Sequence, residues 1–234
     1  MPTVVFVSPK GGVGKTTAAL LLAGELARSS QVTVIDADPN HPIRNWAHGG
    51  SAPGSLNVVA DVDEDNIIER IEEAAAITPF VIVDLEGTAA KIVLLAISQA
   101  DFVVVPTQGS QLDAEQASRA LKVIKQQEKM SRRTVPFAVV LTRTNVAVRP
   151  RSTTHIQRAL AEAGVPVLST QLHEREAFRA VFAFRRTLEA LDDADVPNLD
   201  KAILNAEAFA KEIVQRLREG RAGIVRTERE SVTS

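Results

Sequence analysis

The 234-residue sequence contains no cysteine. That excludes disulfides, an iron–sulfur cluster and thiolate zinc sites, and it fits a reducing cytoplasm. Charge bias is also missing: a formal net charge of -2 describes neither a general basic coat for nucleic acid nor an acidic tail. Any DNA-binding surface must then be a local patch. No apolar stretch approaches the roughly 20 residues needed to cross a bilayer. The run Thr3–Val7 leads straight into a glycine loop, so it reads as a strand and not as the apolar part of a signal peptide. There is no internal repeat, and no Ser-His-Asp or Cys-His pattern supports covalent catalysis. His41, His48, His155 and His173 lack metal-ligand spacing and read as scattered surface residues.

What is present suits one domain with a real core. A hydrophobic content of 45% over 234 residues is enough for one sizeable domain and not comfortably for two. Short β-branched runs are expected as strands at Val4–Ser8, Val32–Asp36, Phe80–Asp84, Phe102–Pro106 and Phe137–Thr142, with a weaker one at Val165–Leu168. They are nearly continuous apolar runs, as parallel strands covered on both faces should be. Helical patterns alternate with them at Thr16–Arg28, Asp65–Ala76, Ala89–Ser98, Leu112–Lys129, Thr153–Ala163, Glu174–Phe182 and about Leu199–Arg218. The alternation predicts an α/β fold: a doubly wound, mostly parallel sheet flanked by helices. A single domain is expected over residues 1–220, with 221–234 as a flexible tail. Gly49–Ser55 reads as a surface loop. Asp61–Glu73 holds seven acids against Arg70, but Ile67, Ile68 and Ile71 supply a buried stripe, which makes this a solvated helix face.

The chemistry begins at Lys10-Gly11-Gly12-Val13-Gly14-Lys15-Thr16-Thr17. A phosphate loop curls backbone N–H groups around an anion, which requires glycines, and the following helix adds its positive N-terminal end. Pro9 stands where the strict G-x-x-x-x-G-K-[ST] pattern needs glycine, so the strict pattern fails. The deviant Walker A form, K-G-G-x-G-K-[ST]-[ST], fits at eight consecutive positions. Lys15 should bridge the β- and γ-phosphates of ATP, Thr16 should place its hydroxyl on Mg²⁺, and Thr17 should reach the α-phosphate. Asp36 and Asp38 sit at i, i+2 at the end of a strand and point the same way, toward the crevice where such sheets bind ligands. Capping of a helix begun near Pro42 is the alternative role for these acids, and the two can coexist. Phe80–Asp84, four apolar residues and an aspartate, is a Walker B pattern.

On these motifs the sequence resembles the ParA/MinD family of deviant Walker A ATPases, over nearly the whole chain from Val4 to about Arg218. It looks closest to small plasmid ParA proteins that lack an N-terminal helix-turn-helix. The resemblance implies a P-loop NTPase fold and a slow, Mg²⁺-dependent ATPase. It also implies an ATP-sandwiched homodimer in which Lys10 reaches the nucleotide of the other subunit. By the same resemblance, Asp38 orients the attacking water, Asp36 supports the Mg²⁺ shell and Asp84 holds Mg²⁺ through water. Pro106, Thr142 and Arg143 border the adenine. After Asp84 the family continues with small residues and prolines, whereas Glu86 stands here; it reads as a solvated loop acid.

Between Leu141 and Ala190 lie Arg143, Arg149, Arg151, Arg158, Arg175, Arg179, Arg185 and Arg186 against four glutamates, a local excess of +4. Arginines there could contact phosphates without reading bases, giving non-specific, salt-sensitive DNA binding that dimerisation would double. The family then implies nucleoid-associated cytoplasmic localisation and a separate ParB-like, centromere-binding partner. Without a helix-turn-helix, the chain should not repress its own promoter. Trp46, Phe178, Phe182 and Phe184 are assigned to core or dimer packing. Two alternatives are a positioning ATPase for another cargo, such as conjugative DNA-transfer machinery or a protein organelle, and a membrane-positioning ATPase like MinD. The last is disfavoured, because the segment after Gly220 offers only Ile224 and Val225 as bulky apolar residues where an inserted helix needs a broad apolar face.

Overall fold

The computed structural model describes residues 1–50, 52–86, 90–109, 111–145 and 151–232, with the backbone alone for 90, 111–116, 151–155 and 221–232. Seven strands form one parallel sheet: β1 (Thr3–Phe6), β2 (Val32–Ala37), β3 (Leu56–Val59), β4 (Phe80–Leu85), β5 (Phe102–Thr107), β6 (Phe137–Thr144) and β7 (Leu172–His173). Their spatial order is β3-β2-β4-β1-β5-β6-β7. Eight α-helices accompany them: α1 (Lys15–Ala27), α2 (Pro42–Ala47), α3 (Ile67–Ile77), α4 (Ala90–Ser98), α5 (Gln111–Ser131), α6 (Arg151–Glu162), α7 (Glu176–Ala183) and α8 (Leu199–Val232).

The pleat of the strands divides the core in two. Val4 and Phe6 of β1 face one side with Val34, Ile82 and Val104, under α1, α2, α7 and α8. Val5 and Val7 face the other with Ile35, Val83 and Val105, under α3, α4, α5 and α6. Because both faces are covered, both sets of alternating residues must be apolar, which is why the strands read as unbroken hydrophobic runs. Helix α1 is apolar nearly all round, with Ala18, Ala19, Leu20, Leu21, Leu22 and Ala23 buried. It is sandwiched between the sheet and α8, as an all-apolar helix must be.

Four elements differ from sequence expectation. The seventh strand is Leu172–His173; Val165–Leu168 contributes only an isolated bridge between Val139 and Val167. Pro166 lacks an N–H, so its carbonyl accepts from Val139 N while the ladder cannot extend through its nitrogen. The edge strand β3 and the short helix α2 have no long periodic run to announce them. Helix α8 runs to Val232 instead of ending near Arg218. The acidic run behaves as expected: Ile67 and Ile71 are buried, while Asp61, Asp63, Glu64, Asp65, Glu69, Glu72 and Glu73 are exposed.

Candidate functional site

The site grows from the end of β1, beside the point where the sheet order reverses between β4 and β5, where doubly wound sheets bind ligands. After Val7 the chain turns, held by Ser8 Oγ against the Lys10 carbonyl at 3.3 Å. Gly14, with φ 87°, then delivers it into α1. That left-handed conformation strains any residue with a Cβ. Thr142 of β6 braces the loop from the side, its hydroxyl donating to the Val13 carbonyl at 2.6 Å. Gln108 donates to the Gly12 carbonyl at 3.1 Å. The first turn of α1 carries no acid and no side-chain cap, so its N–H groups and the positive end of the helix dipole remain for an anion.

Beneath the loop lies a buried charge cluster. Lys15 Nζ donates to Asp84 Oδ1 at 2.8 Å, with side chains 9% and 0% exposed, and the Thr16 hydroxyl lies nearby. Asp84 sits opposite Asp36 in the β4–β2 register, and Asp36 is fully buried as well. Asp36 does cap α2: its Oδ2 accepts from the N–H groups of Ile43 and Arg44, both at 2.9 Å. Burial pushes the Asp36 carboxyl above its ordinary value, and so does the charge of Asp84, against the backbone N–H groups of Arg44, Ile43 and Asp38. Burial likewise pushes Asp84 up, opposed by the Lys15 ammonium and the Thr16 hydroxyl.

One ammonium therefore faces two buried carboxylates, and Asp36 Oδ1 and Asp84 Oδ2 are each buried without a hydrogen-bond partner. Uncompensated oxygens of this kind are costly. A hard divalent cation with oxygen preference satisfies both and balances the charge, so the residues present fit Mg²⁺, with Thr16 beside them. Asp38 is half-buried at the rim; its Oδ1 accepts from the backbone and side-chain nitrogens of Asn40 at 2.9 and 3.1 Å. Lys10 is half-buried and Glu86 exposed.

From Gly14 and Thr17 a cleft of about 350 Å³ runs sideways between the end of β6 and α7, a size in the range of small-molecule sites. Thr142 and Arg143 line it, together with Leu172, His173, Phe178 and Phe182. Arg143 holds φ 51°, a left-handed conformation. Pro106 lies elsewhere: it is inside β5, paired with Val140, and is not part of the cleft lining. Helix α8 fixes the far wall. Glu212 accepts from Ser169 N and Thr170 N, both at 2.8 Å, and Asn205 Oδ1 accepts from His173 N at 3.0 Å. His173 is half-buried, and burial followed by the nearby Arg175 holds its imidazole below the ordinary value.

His173, Phe178 and Phe182 line the cleft, a placement that sequence reasoning did not anticipate; the packing assigned to the two phenylalanines holds as well, since Phe178 belongs to the core and Phe182 packs against it. No local signal marks them, because they lie about 160 residues from the phosphate loop and reach it only through the β6–β7 pairing. Of the arginines, Arg158 is paired to Glu162 at 2.7 Å and Arg179 to Glu174 and Glu176. Arg149 and the Arg151 side chain lie outside the described residues.

A family model described as VirC1 protein matches residues 1–211. Protein ParA of Rhizobium radiobacter is 40% identical over 220 residues, covering 94% of this chain and 99% of the relative. The maintenance of carboxysome distribution protein A of Halothiobacillus neapolitanus is 28% identical over 181 residues, 76% of this chain and 82% of that protein. Among solved structures, a plasmid partition protein of Borrelia burgdorferi bound to AMPPNP superposes with a TM-score of 0.69 at 16% identity, covering 92% of this chain and 100% of that one. At that identity the likeness shows the fold: a seven-stranded parallel sheet flanked by helices, shared with ParA and MinD structures. The chain belongs to the VirC1/ParA family.

Proposed function

We propose that the chain is a ParA-type ATPase that partitions DNA: its ATP-bound dimer holds DNA non-specifically and lets go when a ParB-like partner stimulates hydrolysis. The observation that carries this reading is the buried group of Lys15, Thr16, Asp36 and Asp84 at the N-terminus of α1, continuous with a cleft of nucleoside size. The relative named ParA supports the cargo. The carboxysome-distribution relative favours a second reading, in which the same switch positions a protein organelle.

The triphosphate would lie along the N–H groups of residues 11–17 with the base in the cleft. Lys15 leaves Asp84 to reach the β- and γ-oxygens, and Lys10 of the partner subunit adds a second ammonium. Both neutralise charge as water attacks the γ-phosphorus in line. Asp38 orients that water: Oδ1 is tied to Asn40, and Oδ2 makes no hydrogen bond among the described residues. Mg²⁺, held by Thr16, Asp36 and Asp84, supplies further charge neutralisation when bound. An accelerating group would come from the partner protein or from dimer closure, so intrinsic turnover would be slow.

The test is a DNA titration with ATP, with ADP and without nucleotide, repeated across salt concentrations. Binding that requires ATP and falls steeply with salt is expected. Equal binding in all three states would remove the switch. Asp38→Ala should bind ATP, dimerise and persist on DNA; unchanged hydrolysis with normal release would strip Asp38 of its role.

A further inference from the structure

We propose that the outer face of α5, and not the arginine-rich stretch after β6, is the surface that grips the phosphate backbone of DNA; this rests on the DNA-binding reading above. Arg119, Lys122, Lys125, Lys129 and Arg132 are all exposed, and none has a hydrogen bond or ion pair among the described residues. Spacing of three and four residues puts Arg119, Lys122, Lys125 and Lys129 on one side of the helix, and Arg132 follows its last turn. The opposite side, Ala117, Ala120, Leu121 and Ile124, is buried in the core, so the cations are displayed on a rigid support.

Among the described side chains, two nearby acids are used inward. Glu128 accepts from Val135 N at 2.9 Å, and Asp101 accepts from Thr3 N at 2.8 Å. Arg133 is likewise spent, donating to the carbonyls of Ser98 and Ala100 at 3.0 and 2.8 Å. By contrast, Arg158 and Arg179 in the other region are neutralised by glutamates. Like charges at helical spacing repel one another, so nothing in the fold calls for this row.

The chemistry of the row selects its occupant. Arg119 to Lys129 spans about 15 Å of helix, a linear array of mostly point-charge ammonium groups suited to a repeating anion and unsuited to reading bases. A membrane would need an apolar face beside the charges. Among the described side chains of α5 only Met130, 66% exposed, offers a large apolar one, since Ala117, Ala120, Leu121 and Ile124 are buried in the core. A folded acidic partner would need aromatic or large apolar anchors, which the row lacks. The acids of α3 lie on the far side of α4 from the row, with Lys91 held by Glu64 and Asp65.

The experiment uses the full chain with ATP and Mg²⁺, a random-sequence duplex, and a Lys122→Gln, Lys125→Gln, Lys129→Gln triple variant. Fluorescent ATP binding and thermal unfolding are measured on the same samples. Loss of three phosphate contacts should flatten the slope of log affinity against log salt by about 2.7, and weaken DNA binding on the order of 100-fold at about 0.1 M salt, with ATP binding retained. Single Lys→Gln variants should each give about a third of that slope change, which keeps the test valid if the triple variant folds poorly. A triple variant with the slope of the wild type overturns the proposal. So does an Arg185→Gln, Arg186→Gln variant that alone loses the slope. Loss of binding to phosphatidylserine vesicles, with DNA binding intact, overturns it in favour of a lipid surface. A wild-type protein that binds no duplex in any nucleotide state overturns the DNA reading itself, and this proposal with it.

Discussion

The two ends of the proposed nucleotide cleft are built on opposite plans. At the phosphate end, consecutive residues of one loop supply the backbone, while Lys15, Asp36 and Asp84 are locked in a dry cluster. At the base end, single residues come from β6, β7 and α7, several are half-exposed, and the wall is held in place from behind by Asn205 and Glu212 of α8. The difference separates what the ends can do. A buried charged cluster with few alternatives is costly to disturb and suits a switch. An open wall of mixed side chains suits recognition of a flat base by area.

Lys15→Ala should have the largest effect, and it hits both stability and ligand. Removing the ammonium leaves Asp84 as a buried, unpaired carboxylate, a loss of about 3–5 kcal/mol. It also removes a charge-assisted contact to the triphosphate, so ATP affinity should fall about 100-fold and ATP-dependent dimerisation should vanish. Thermal unfolding and light scattering read the two effects separately. The double variant Lys15→Ala, Asp84→Asn sharpens the comparison: it should regain most of the stability and none of the ATP binding. Normal dimerisation of Lys15→Ala would contradict the assigned site.

The base end should break more gently. Phe182 is half-buried and lines the cleft, so Phe182→Ala removes stacking area worth about 1–1.5 kcal/mol. ATP should bind about tenfold more weakly, while inorganic triphosphate should bind as before. Calorimetry with both ligands makes the distinction. Equal weakening of both would show that the aromatic supports the phosphate loop and does not contact the base.

The same contrast governs what could be read from the sequence. The phosphate end was legible because its residues are contiguous and their types are forced: glycine at Gly14 by a φ of 87°, and an aspartate at the end of each of two apolar strands. Five of the strands and seven helices were legible because both faces of the sheet are covered. Illegible were the elements fixed by distant partners. β7 is two residues long and exists because β6 and α8 hold it. α2 is a single short turn organised by Asp36, whose capping of that helix coexists with an unpartnered second oxygen. The row on α5 escaped notice because its lysines are diluted along 21 residues and acquire meaning only once their neighbours are seen to be paired elsewhere.

The smallest expected effect lies at the other end of α1, where the helix that presents the phosphate loop meets the segment following α7. Glu25 accepts from Arg28 at 3.0 Å, yet its Oε1 is buried without a partner. Burial first, then the neighbouring Glu189 carboxylate, raise its pKa from 4.5 to about 7. The folded protein therefore holds a proton here more tightly than the unfolded chain does. The stabilisation is complete below pH 4.5 and is lost as the pH rises through about 7. Thermal midpoints should accordingly fall between pH 5.5 and pH 8 by more in the wild type than in Glu25→Gln, whose amide is neutral throughout. A difference of about 1 kcal/mol corresponds to about 2–4 °C for a domain of this size. Parallel pH profiles of the two proteins would show that the carboxylate pair is relaxed by solvent. Unequal profiles would place a strained junction where the two plans of construction meet, remote from either end of the cleft.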